Sequence, residues 1–185
     1  VDGLSGLNEK RSLGKGEIIR PFLNLSKSDL EIFIRENDLP YVEDDTNLNN
    51  DFDRNFLRNE IIPSLEKRWS KLPERAALTS LTAKKKKLSL DFMLEKNFKK
   101  EISTGIIERA KFIETPSFLI EELIRLILRK KGIALPSQKV LSEIMNVFFH
   151  KKPSNESYVE WSRKDGEQIG GKVFSEHNDI ILKKK

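Results

Sequence analysis

Two neighbouring stretches of this chain combine residue types that could do chemistry. One is the acidic, amide-rich run Glu43-Asp44-Asp45-Thr46-Asn47-Leu48-Asn49-Asn50; the other is Asp53-Arg54-Asn55-Phe56-Leu57-Arg58-Asn59. Arg54 and Arg58 are four residues apart, so a helix carries both on one face, about one turn apart. Guanidiniums so placed can clamp a phosphate or a carboxylate through forked hydrogen bonds. The spacing also allows a structural use, in which the arginines pair with Asp44, Asp45, Asp51 or Asp53 and pin the polar run to the helix. Asp44 and Asp45 admit a third reading, as a metal site or an acid/base pair, although adjacent carboxylates in such a run more often cap turns.

Three basic clusters could meet phosphates: Lys84, Lys85, Lys86 and Lys87; Arg129, Lys130 and Lys131; and Lys183, Lys184 and Lys185. Contacts of that kind are independent of sequence and weaken with salt. Their structural counterparts are a solvated helix face, a helix C-terminus that its dipole favours for cations, and a frayed tail. The chain carries 34 basic and 29 acidic residues, a net +5, with a pI near 9.3, a balance compatible with a polyanionic partner.

Composition also excludes. Cysteine is absent, which rules out disulfides and thiolate metal sites and suits a cytoplasmic protein. The two histidines, His150 and His177, are far apart in sequence, and no metal centre is expected. No apolar run approaches the roughly 18 residues that would cross a membrane, so no membrane partner is expected. Glycine-rich phosphate loops, a nucleophile elbow, zinc spacings and aromatic RNA-binding motifs are all missing from these residues.

The elements that must position these groups read mainly as helices. Residues 1–17, with Gly3, Gly6, Gly14 and Gly16, look like loop, and Ile18–Leu25 around Pro21 like an edge strand. Ser26 and Asp29 form a capping box ahead of a helix bearing Leu30, Phe33 and Ile34. A second helix starts near Asp51 with Phe52, Phe56 and Ile61 or Ile62 on its buried stripe, and Pro63 should kink it or open the next. Residues 73–100 read as a long amphipathic helix carrying Leu78, Leu81, Leu88, Leu90, Met93, Leu94 and Phe98. Thr115-Pro116 should start a core helix over 116–131 that Gly132 closes, and Ser137 should cap another. The tail changes period: a strand over Tyr158–Arg163, a turn at Asp165-Gly166, and strands at Lys172–Phe174 and Asp179–Leu182.

Five segments, taken together, resemble the tRNA(Ile)-lysidine synthetase family. Gly3-Leu4-Ser5-Gly6-Leu7 resembles its Gly-Leu-Ser-Gly loop, Ile19-Arg20-Pro21-Phe22-Leu23 its Ile-Arg-Pro-Leu-Leu strand, and Glu43–Asn47 its Asp-Asp-Ser-Asn segment. Phe52–Arg58 resembles the family's Tyr/Phe-Asp-Arg-Asn-Phe-Leu-Arg, followed by Pro63, Leu65 and Trp69 in their places. Order and spacing agree over residues 1–72; beyond them the likeness is one of style, as a helical substrate-binding subdomain.

The resemblance implies a mainly α chain. Residues 1–65 would be the C-terminal edge of an α/β PP-loop ATPase domain, and 66–185 a helical tRNA-binding subdomain ending in a small antiparallel β element. It implies an ATP-dependent ligase, working with Mg2+, that adenylates the wobble cytidine of the CAU-anticodon isoleucine tRNA at its C2 oxygen. Free lysine then displaces AMP. Arg54, Asn55 and Arg58 would be catalytic at the edge of the active site, and Gly3, Leu4, Ser5 and Gly6 would lie beside the nucleotide. Lys84–Lys87 and Arg129–Lys131 would hold the tRNA. The phosphate loop and the acids that hold lysine would lie upstream of Val1, a further domain would follow Lys185, and these residues alone would be inactive. The competing expectation is a non-catalytic helical RNA-binding or adaptor module.

Overall fold

The computed structural model describes every residue except Val1, Gly14, Lys15, Glu43, Asn155 and 163–168, and of Asp2 and Ser12 the backbone alone. The chain divides into two compact units, Val1–Lys87 and Leu88–Lys185.

In the first unit a 3-10 turn, Asp2–Ser5, precedes the antiparallel strands β1 (Lys10–Leu13) and β2 (Gly16–Ile19). The sequence reading made β1 loop and extended the strand past Pro21. Instead β2 stops at Ile19, Arg20 N–H closes on Glu9 O at 2.8 Å, and Phe22–Leu25 turns. Helix α1 (Lys27–Glu36) has the expected capping box, with Asp29 N–H on Ser26 Oγ and Ser26 N–H on Asp29 Oδ2. The Ser26 hydroxyl and N–H stabilise the Asp29 carboxylate and lower its pKa.

Asp45–Leu48 forms a 3-10 turn, followed by α2 (Asp53–Phe56), a π-turn over Leu57–Ile61 and α3 (Ile62–Arg68). Pro63 opens α3: the π-turn sends Ile62 N–H to Leu57 O, and the proline, lacking N–H, falls in the first turn that follows. The stripe expected to be buried is not. Phe52, Phe56, Ile61 and Ile62 are all exposed, and no described residue before Leu88 is fully buried.

Helix α4 (Leu72–Asn97) has only Leu94 buried; Leu78, Leu81, Leu88 and Met93 are exposed, so the apolar stripe read from the sequence meets a core only near the helix end. In the second unit α5 (Lys99–Thr104) ends at Gly105 in the left-handed region (φ 77°), where a Cβ would come within 2.9 Å of Leu182 O. β3 (Ile106–Glu108) and α6 (Arg109–Phe112) follow. α7 (Ser117–Lys130) begins one residue later than expected. Pro116 is its N-cap, with no side-chain cap, and its carbonyl accepts from Leu119 and Ile120. Gly132 closes α7 as a Schellman motif, with Gly132 N–H on Arg129 O and Ile133 N–H on Leu128 O. Ser137 caps α8 (Gln138–Met145), which runs into a π-turn over Asn146–His150. Arg109 caps that end, donating to Phe148 O at 2.8 Å and to the carbonyls of Phe149 and Lys151.

β4 (Tyr158–Trp161), β5 (Gly171–Glu176) and β6 (Asp179–Lys184) complete an antiparallel sheet of order β3-β6-β5-β4. The β5–β6 turn is made by His177 and Asn178, both at positive φ, as a two-residue hairpin requires; the turn expected at Asp165-Gly166 lies outside the described residues. One face of the sheet (Ile107, Val159, Trp161, Val173, Ile180, Leu182) shares a buried cluster with Leu123, Ile124, Ile127, Leu128, Leu141, Ile144 and Phe148. Trp161 Nε1–H is satisfied there by Ala134 O at 2.6 Å.

Glu108 ends β3 between Lys100 (2.6 Å) and Lys111 (2.5 Å). Hydrogen bonds from these two ammoniums lower its pKa from 4.5 to about 2. The folded value is the lower one. The stability contributed is therefore complete above about pH 4.5 and is lost as the pH falls towards 2. An NMR titration of the Glu108 carboxyl carbon is expected to give a midpoint near 2 and to move up in Lys100→Gln; an unmoved midpoint in that variant would remove Lys100 as the principal cause.

Candidate functional site

The two segments singled out from the sequence come together in the first unit, but through amides rather than charges. Asn55 Nδ2 donates both its hydrogens to the polar run, to Thr46 O and Asn49 O at 2.8 Å each. One turn on, Asn59 Nδ2 donates to Asn47 O at 3.1 Å and Asn50 Oδ1 at 2.9 Å, and Asn50 reaches Glu60 at 3.3 Å. Two asparagines at i and i+4 thereby tie the backbone carbonyls of Thr46, Asn47 and Asn49 to the helix.

Asp44 caps the Asp45–Leu48 turn, accepting from Thr46 Oγ1 at 2.7 Å and Thr46 N–H at 2.9 Å. The same two bonds lower its pKa, so its contribution is present at neutral pH and fades as acid protonates it. Asp44 acts as a turn cap, and among the described residues no cluster of three His, Cys, Asp or Glu could hold a metal ion.

The arginine–aspartate pairing considered from the sequence does not form. Arg54 and Arg58 are exposed, and among the described residues neither side chain makes an ion pair or hydrogen bond. Their neighbours Asn55 and Asn59 grip the loop, so the helix is braced while the two guanidiniums engage none of the described residues. A braced pair of unneutralised guanidiniums can bind a phosphate or carboxylate with little ordering of its own. The helix of these four residues spans α2 and the π-turn, so the turn that admits Pro63 also sets the spacing of the pair.

At the N-terminal loop, Gly3, Leu4 and Ser5 lie in the 3-10 turn, and Gly6 is at φ 69°, where a Cβ would meet Ser80 Oγ at 2.8 Å. The left-handed backbone and the close approach both call for glycine at position 6. Beside α1, a cleft of about 430 Å³ is lined by Leu30, Ile34, Tyr41, Asp44 and Leu48 among others, and neither arginine enters it.

The basic clusters behave differently from one another. Lys84 to Lys87 follow one another along α4, so at about 100° per residue they surround the helix rather than line one face. Arg129 is bound to Asp91 at 2.8 Å and Lys130 to Glu95 at 2.6 Å, while Lys131 donates to Ser103 O and Thr104 O. These three cations tie the end of α7 to α4 and α5, and Arg129 Nη1 is buried without a hydrogen-bond partner among the described residues. Lys183–Lys185 are not a frayed tail. Lys183 lies over the Phe174 ring, and Lys185 reaches Glu160 at 3.1 Å.

Residues 1–65 match the family profile of a PP-loop domain. A tRNA(Ile)-lysidine synthase of Coxiella burnetii is 33% identical over 98% of this chain and 42% of its own length. One from Buchnera aphidicola subsp. Schizaphis graminum is 35% identical over 85% of the chain and 36% of its length, and one from Legionella pneumophila 27% identical over 96% and 40%. The chain therefore spans about two fifths of the length of these relatives.

Proposed function

The chain is homologous to tRNA(Ile)-lysidine synthases over nearly its whole length, and from this premise we propose that it is the part of such a ligase that follows the nucleotide-binding loop and leads into the tRNA-binding region. The reaction is the ATP-dependent joining of free lysine to the C2 of the wobble cytidine in an isoleucine tRNA with a CAU anticodon. The C2 oxygen attacks the α-phosphorus of ATP and pyrophosphate leaves. The lysine amine then attacks C2 and AMP departs with that oxygen. Both steps develop charge on phosphate, which is where unneutralised guanidiniums act.

The observation that carries this reading is the pair Arg54 and Arg58, whose side chains have no partner among the described residues, on a helix braced by Asn55 and Asn59. Residues 1–65 serve as the edge of the PP-loop domain and 66–185 as the tRNA-binding subdomain of a cytoplasmic enzyme. Gly3–Gly6 sits beside the nucleotide, and Lys84–Lys87 contribute a diffuse positive field. Asn55 acts by positioning the arginines, its donors being committed to the loop. Mg2+ would accompany ATP, bridging its phosphates.

The protein carrying this chain is expected to transfer radiolabelled lysine to a CAU-anticodon isoleucine tRNA in the presence of ATP. Arg58→Ala should lower that rate tenfold or more. An unchanged rate would leave Arg58 a surface residue, and no transfer by the unaltered protein would overturn the proposal.

A further inference from the structure

The outer face of the second unit's sheet carries a pattern invisible in the linear sequence. Tyr158 is paired with Phe174, Phe174 with Ile181, and Ile181 with Ile106. Directly opposed residues share a face, so these four side chains form one apolar row across all four strands, opposite the buried cluster. Tyr158 remains 58% exposed.

Two residues along, the next row holds Glu160, Lys172 and Lys183, in register with one another. Glu160 is neutralised by Lys185. Lys172 and Lys183 face each other directly, a like-charge arrangement that costs stability unless something anionic lies over it. Each ammonium is parked over a ring of the apolar row, Lys172 Nζ 4.4 Å from the Tyr158 centroid and Lys183 Nζ 4.5 Å from that of Phe174. Rings and lysines, with Glu156 and Ser157, line a shallow groove of about 190 Å³.

We propose that this face is a binding platform for unpaired RNA, with Tyr158 and Phe174 stacking on bases and Lys172 and Lys183 taking the flanking phosphates. An exposed cation–π contact is weak. A base can therefore displace each ammonium from its ring, and the flexible lysine stem lets the charge swing to the adjoining phosphate. Adjacent aromatic residues on an open sheet suit splayed bases and not a duplex, whose bases are already stacked. Opposed lysines beside the rings select a polyanion over an apolar protein surface. The proposal rests on the reading of the chain as part of a tRNA-modifying enzyme and adds to it a site for the tRNA's unpaired nucleotides.

The test is fluorescence-anisotropy binding by the 185-residue chain over a salt series, with three probes: a CAU-anticodon isoleucine tRNA transcript, a single-stranded oligouridylate and a blunt RNA duplex. Tyr158→Ala and Phe174→Ala should each weaken the two probes with unpaired bases about tenfold at constant salt slope, and leave the duplex unaffected. Lys172→Gln with Lys183→Gln should reduce the slope of log K against log salt by about 1.4 for the oligouridylate. Tyr158→Phe, which keeps the ring, should bind as the unaltered chain does, and circular dichroism should show all variants folded. The platform is overturned if the alanine variants bind within twofold of the unaltered chain, if Tyr158→Phe loses as much as Tyr158→Ala, or if the unaltered chain binds no RNA at low salt. Lysine transfer by the protein carrying the chain is measured in parallel, so that loss of the platform and loss of the ligase reading register separately.

Discussion

Truncating Phe148 to alanine is expected to lower the unfolding free energy of the second unit by about 3–5 kcal/mol. The ring is fully buried in the cluster where α7 and α8 meet the inner face of the sheet. Removing it forfeits the transfer free energy of a phenyl group and leaves a cavity that the surrounding helices and strands can only partly close. Against a total stability of about 5–15 kcal/mol for an ordinary domain, that is about a fifth or more. Phe118→Ala serves as the comparison. That ring lies on the same helical layer but is 71% exposed, so its loss should cost about 0.5 kcal/mol or less.

Urea unfolding followed by tryptophan emission separates the two cases. Trp161 is buried and hydrogen-bonded to Ala134 O, whereas Trp69 in the other unit is already 55% exposed and adds a nearly constant background. The red shift of Trp161 thus reports the second unit. Equal midpoints for Phe148→Ala and Phe118→Ala would mean that the buried cluster does not hold this unit together.

The parts of this fold that were legible in the sequence are those decided by local chemistry. The Ser26–Asp29 capping box, the Ser137 cap and the glycine end of α7 each involve groups within five residues of one another, and all are present. The dense apolar pattern of α7 marked it as a core helix because nearly every one of its faces is covered. β3 was missed because three residues are too few to show a period, and it exists only as the partner of β6. Thr115 was read as a cap, yet Pro116 takes that position with its own fixed backbone.

The site was half legible. Helical spacing placed Arg54 and Arg58 together, but opposite charges nearby suggested that aspartates would hold them. The loop is held instead by amide-to-carbonyl bonds across six to twelve residues, which no local pattern announces. Arg129–Lys131 looked like a basic patch because their acidic partners Asp91 and Glu95 are more than thirty residues away. The aromatic–lysine rows of the sheet depend wholly on strand register, and so had no signature in the linear chain.

The amide grip leads to a sharper expectation than removal of an arginine. Asn55→Asp keeps the shape of the side chain but exchanges two donors for acceptors. A carboxylate would then face Thr46 O and Asn49 O, turning two hydrogen bonds into two repulsions, and would set a negative charge beside Arg54 and Arg58. Asn55→Ala removes the bonds without that repulsion. Loop release should therefore be greater in the aspartate variant, although aspartate is the closer match in volume. Hydrogen exchange is the direct measure: the amides around 47–51 should lose protection in Asn55→Asp and lose less in Asn55→Ala. The Asp44 cap, which does not involve Asn55, should hold the Thr46 amide in both. Misplacing a charge-stabilising group by about 1 Å costs on the order of 100-fold in rate. Lysine transfer by the protein carrying Asn55→Asp should accordingly fall by about that factor, below the Arg58→Ala variant, because both guanidiniums are displaced together. If exchange in the loop is the same for Asn55→Asp, Asn55→Ala and the unaltered chain, the loop is held by something other than this asparagine, and the preorganisation of the arginine pair loses its physical basis.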